Sequence, residues 1–170
     1  MKLKITTLIL ASVAFFSACD ELNIVNYDLN FATAAITIKS TTVADTTYTL
    51  ESEAINPKAE LENNGISSDV LKEATIKSAR IDLVSPETGN FDWAKGATIK
   101  VSADGQPLME IAKVEDIPEG LKSFEISTLD IDLLPYLKAG EFKLFLEGTT
   151  DQQILVDHEV TITVVFNVSI

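Results

Sequence analysis

The chain has 170 residues, 26 acidic and 13 basic, with a single histidine and a single cysteine. The formal charge of −13 argues against a nucleic-acid partner, because phosphate backbones are bound by clustered Lys and Arg. At 46% hydrophobic residues the composition is that of a folded chain, and the length suits one domain with a substantial core.

Residues 1–18 read MKLKITTLILASVAFFSA. Lys2 and Lys4 form a short positive region, residues 5–16 are apolar apart from Thr6, Thr7 and Ser12, and Ser17 and Ala18 are small. This is the three-part layout of a secretory signal peptide, and it falls short of the ~20 apolar residues of a permanent membrane helix. Phe16-Ser17-Ala18-Cys19 resembles a bacterial lipobox, with Phe16 where Leu is usual. The resemblance implies that the Cys19 thiol takes diacylglycerol, that the chain is cut before it, and that the new amino group is acylated. One acyl chain binds a membrane reversibly, whereas several on one residue anchor it stably. The expected division is a signal peptide over 1–18, a lipidated tether over 19–24 and one domain over 25–170. Loss of 1–18 removes two lysines and no acid, leaving 152 residues with a formal charge of −15, which is expected to serve solubility, against the alternative of an acidic surface built for a cationic partner. With Cys19 lipidated, no thiol remains for a disulfide, a metal or a nucleophile.

Beyond the tether, alternation with period two dominates. Val25, Tyr27, Leu29 and Phe31 alternate with polar residues, Ala34, Ile36 and Ile38 continue that face past a bulge, and residues 43–51 hold a second strand with Tyr48 and Leu50. Residues 56–73 interrupt the pattern. Asn56-Pro57 predicts an N-cap and a first helical proline, Gly65 the stop, and Ser68 the cap of another short turn. Strands return at Ala79-Ile81-Leu83 and at Ala97-Ile99-Val101-Ala103. Asp104-Gly105 follows as a hairpin signal, and Met109 and Ile111 begin the return strand. Phe124 and Ile126 mark another strand. Asp132 caps a short helix over 133–138 that tolerates Pro135 in its first turn and stops at Gly140. Phe142, Leu144 and Leu146 share one strand face, and Val160, Ile162, Val164, Phe166, Val168 and Ile170 form the last.

This pattern predicts an all-β chain: an antiparallel two-sheet sandwich, Ig-like or Greek-key in type, of about eight or nine strands with two or three short helical turns, ahead of a partly open barrel. The lipobox with Asp20-Glu21 after it, ATIKSARIDLVSP (74–86), ATIKVSADGQPLMEIA (97–112) and DLLPYLKAGEFKLFLEGTT (132–150) together resemble the small β-sandwich lipoproteins of Bacteroidetes-type Gram-negative bacteria. That resemblance implies a sandwich fold and an outer-membrane, cell-envelope location, surface-exposed or facing the periplasm.

Chemistry is sparse. His158, in Val156-Asp157-His158-Glu159, is expected as a partly exposed strand-start residue rather than a base or a ligand. Zinc would lack Cys and ligand spacing, and no Gly-x-Ser-x-Gly turn supplies a nucleophile. Asp130-x-Asp132 lacks the loop that calcium requires. No metal and no cofactor are expected, and the chain reads as a non-enzymatic binding or scaffolding domain held to the membrane through Cys19. The alternative is a carbohydrate- or ligand-binding module in which the loop aromatics Phe91 and Trp93 stack on a sugar or anchor a protein, against the simpler expectation that Trp93 plugs one end of the fold.

Overall fold

The computed structural model describes residues 24–170. The expected signal peptide and Cys19 lie outside the described residues. Alternating apolar side chains build nine strands there: β1 (Asn26–Ala32), β2 (Ile36–Ile38), β3 (Thr47–Glu51), β4 (Glu73–Ser85), β5 (Ala94–Ala103), β6 (Met109–Val114), β7 (Ser123–Thr128), β8 (Phe142–Thr150) and β9 (His158–Ser169). Their pairings are all antiparallel. Two short helices, α1 (Lys58–Asn63) and α2 (Leu134–Lys138), and a 3-10 turn at Ser68–Val70 complete the elements. The all-β expectation holds, including its small helical pieces.

The separation into two sheets does not. The strands follow one path, β1-β9-β4-β7-β6-β5-β8-β3, with β2 also pairing with β9. Ala112 and Lys113 of β6 pair with Thr128 and Ser127 of β7, so the ladder continues where a sandwich would break it. The result is a single curled sheet, a half-barrel. Its two halves face each other across the core. Phe31 of β1 and Phe166 of β9 meet Phe142 of β8 at ring centroid distances of 5.2 Å and 5.7 Å, and each other at 5.3 Å.

Local chemistry sets the ends of the elements. Asn56 Oδ1 accepts the Lys58 N–H at 2.9 Å, and Gly65, at φ 69°, closes α1 as expected. The 3-10 turn is capped by Ser67 rather than Ser68: Ser67 Oγ accepts the Asp69 N–H at 3.4 Å. Asp132 Oδ1 accepts the Leu134 N–H at 2.9 Å and so opens α2. β3 starts at Thr47, four residues later than expected, because Asp45 takes a positive φ of 56° and turns the chain.

β4 is much longer than its expected 79–83 core. Register shifts between Ile76 and Ser78, opposite Phe166 and Val165, leaving Lys77 as an extra residue. That bulge carries the buried face from Ala74 and Ile76 on to Ala79 and Ile81. The strand directions sort the connections to two ends of the sheet. The loops 39–46, 86–93, 115–122 and 151–157 share one end, called here the loop end. α1, the 3-10 turn, α2, the Asp104-Gly105 turn and the first residue of β1 share the other, the helical end.

Candidate functional site

At the helical end, α1 and the C-terminal turn of α2 leave a cleft of about 510 Å³. Its walls include Pro57, Leu61, Ile66 and Leu137, with Lys58 and Lys138 at the rim. Lys58 lies 3.6 Å from Glu62 on the same helix. No sequence pattern pointed to this cleft, because its two helices are about seventy residues apart in the chain. Asp130 and Asp132 sit nearby on a separate depression with Lys72 and Glu73, and Asp132 is engaged as a helix cap.

The loop end holds the residues singled out from the sequence. Phe91 and Trp93 are 3% and 7% exposed, so neither ring offers a free face to a sugar in this structure. Both close the end of the core instead. Phe91 meets Phe124 edge-on at 4.9 Å and Trp93 at 5.8 Å, and Trp93 lies against His158 at 5.1 Å and Tyr48 at 6.4 Å. The physical reason is the loop around them. Phe91 N–H donates to the Leu121 carbonyl at 2.9 Å, Asp151 N–H to the Trp93 carbonyl at 3.2 Å, and Gln152 Nε2 to the Asp92 carbonyl at 3.0 Å. Asp92 also takes the Asn90 side-chain amide at 2.6 Å and the Gly120 N–H. These bonds pull the segment flat over the core and turn its alternate side chains inward. Trp93 Nε1 is buried without a hydrogen-bond partner.

His158 is buried, not partly exposed as expected. Its Nδ1 is 2.8 Å from the Val156 carbonyl, which only accepts, so Nδ1 carries the proton. Its ring packs on Trp93, and nothing in these contacts orients it toward a serine or a metal. Among the described residues, no three His, Cys, Asp or Glu side chains converge closely enough to hold a metal ion. Tyr48 lies over Gly148, its register partner on β8, where a Cβ would meet the phenol ring. Burial pushes the Tyr48 hydroxyl well above its ordinary pKa.

Two features of this end escaped the sequence reading. The loops 39–46 and 151–157 are laced together: Ile154 N–H donates to the Thr42 carbonyl at 3.0 Å, Thr150 Oγ1 to the Val43 carbonyl at 2.7 Å, and Asp157 takes Lys39 Nζ at 2.9 Å and the Ser40 N–H at 2.8 Å. The Ser40 N–H, followed by Lys39, holds the Asp157 carboxyl down at about 2. Above that lacing Leu155 is 79% exposed, Val43 53% and Val156 52%. The signal was the apolar run Ile154-Leu155-Val156 between Gln153 and Asp157, of which only Ile154 turns inward. Beside it lies a depression of about 310 Å³ lined by Asp45, Asp92, Asp116, Glu119 and Asp151, with Lys95 the one cation on its wall.

No helix among the described residues is long and apolar enough to cross a membrane. No family model matches the chain, and no curated protein matches it.

Proposed function

We propose that this protein is a lipid-anchored envelope lipoprotein whose β domain binds or scaffolds a partner and does not catalyse. The observation that carries the reading is where β1 enters the sheet. Asn26, seven residues after Cys19, sits at the helical end, paired with Ser169 of β9. Five extended residues from Cys19 to Ile24 span at most ~17 Å. Lipid on Cys19 would therefore hold the helical end close to the bilayer and turn the loop end away from it. Confinement to a membrane face raises the domain's effective concentration toward partners there, and that is the mechanism.

The non-catalytic reading is supported by the only histidine being packed into the core against Trp93. In the same reading the facing halves of the sheet act as a sandwich-type scaffold. The clasp of Phe31, Phe142 and Phe166 across the core supports this. The location that fits is the outer membrane, by the resemblance of Phe16–Cys19 to a lipobox.

Detergent phase partitioning tests the anchor. The native chain is expected in the detergent phase and a Cys19→Ser chain lacking residues 2–18 in the aqueous phase, with mass spectrometry placing acyl groups on Cys19 of the native chain. A free thiol at Cys19, or the shortened Cys19→Ser chain partitioning like the native one, overturns the proposal.

A further inference from the structure

We infer that the loop end is a docking surface for a cationic protein segment carrying apolar side chains. The apolar half of the surface is Val43, Leu155 and Val156. All three are more than half exposed, on two loops fixed to each other by backbone and side-chain hydrogen bonds. Isolated exposed apolar residues are ordinary, but three together on one pinned end form a contact site already organised before binding. The exposed contact of Asp157 with Ser40 and Lys39 fixes the two loops to each other while Leu155 and Val156 stay in solvent.

Charge decides the occupant. The segments 39–46, 86–95, 115–122 and 150–157 carry eight carboxylates and three lysines, and one of those carboxylates, Glu115, is paired with Lys113 of β6 at 2.9 Å. Of the lysines, Lys39 is paired with Asp157 and Lys122 donates to the Glu87 carbonyl. Asp45 is two residues from Val43, and Asp151 four from Leu155, and both face the acidic depression. A second copy of this acidic chain, an anionic lipid surface or a nucleic acid would bring like charge against that rim. A segment bearing Lys or Arg beside its apolar residues brings opposite charge, which steers encounter and sets register. The carboxylates do not converge on a point, so they favour a spread of cationic side chains over one metal ion. The inference rests on reading the domain as a binding module, and not on the lipid.

The Cys19→Ser chain lacking residues 2–18, which keeps every other residue of the expected mature protein, is titrated with a peptide alternating Lys and Leu. Matched Lys/Ser and Glu/Leu peptides serve as controls. Binding is followed by calorimetry and by the emission of Trp93, the only tryptophan, which underlies this end. The expected result is saturable binding of the Lys/Leu peptide, weakened by salt and at least about tenfold weaker in the triple variant Val43→Ser, Leu155→Ser, Val156→Ser. Thermal melts establish that the variant folds, and Leu155→Ser alone, at the most exposed position, serves if it does not.

Absence of binding, an undiminished triple variant, or equal binding of either control peptide overturns the inference. Self-association of the chain that the triple variant abolishes also overturns it, in favour of a second copy. Loss of binding leaves detergent partitioning untouched, and loss of anchoring leaves peptide binding untouched, so the two proposals fail separately.

Discussion

Asp157 is one carboxylate between two loops, and its chemistry is set by what the fold brings to it. In the sequence it is 118 positions from Lys39, and nothing local marks the pair. The Ser40 N–H and the Lys39 ammonium lower its pKa from the ordinary 3.8 to about 2. A depressed folded-state value means the stabilisation is fully present above the unfolded pKa and is lost as pH falls from about 4 through about 2. A carboxyl-detected NMR titration is expected to find the Asp157 midpoint near 2. In Asp157→Asn the acid-dependent loosening of 39–46 is expected to disappear, whereas a midpoint at the ordinary value would remove the pinning contact. Trp93 and His158 teach the complementary lesson. Residue type announced an aromatic and a titratable group, but exposure depended on bonds from Leu121, Asp151 and Gln152, which arrive from other loops. Asn56 and Asp132 were legible because a cap acts on its own neighbours.

Strands with unbroken alternation, such as β8 and β9, could be read directly from the period of their apolar residues. β4 could not, because its period is broken by one residue. Its buried positions run 74, 76, 79, 81, and the missing step is Lys77, which has no register partner on β9. The side chain of Lys77 instead pairs with Asp28 on the outer face. A bulge residue and a ladder residue should therefore differ sharply in what their loss does. Deleting Lys77 leaves Ile76 opposite Phe166, restores regular alternation, and costs a bend and an exposed ion pair. Deleting Arg80, inside the regular ladder, drives Ile81 toward the outer face and shifts every later residue with it. Thermal denaturation is expected to find the Lys77 deletion folded, with a modestly lowered midpoint, and the Arg80 deletion without a cooperative transition. Equal damage from both would mean that the bulge itself holds the fold.

Across the whole molecule, periodicity gave strands and helical pieces but not the path joining them. Two-residue pairing between β6 and β7 is the difference between two sheets and one, and no residue pattern announces so short a ladder. The core holds the halves together regardless of that name. Phe142 is fully buried and touches Phe31 and Phe166 on the facing half. Phe142→Ala is expected to cost about 3–5 kcal/mol of unfolding free energy by chemical denaturation, because it opens a cavity where the halves meet. A loss under about 1 kcal/mol would mean that the halves are held elsewhere. The seating of β1 has a mechanical consequence as well. β1 runs parallel to any tension that enters through residue 24 and leaves through the loop end, so its seven register pairs with β9 lie across the pull. Such a pull loads those pairs in shear, all at once, instead of peeling them singly. Stretched from these two points, the chain would yield at high force and in one step.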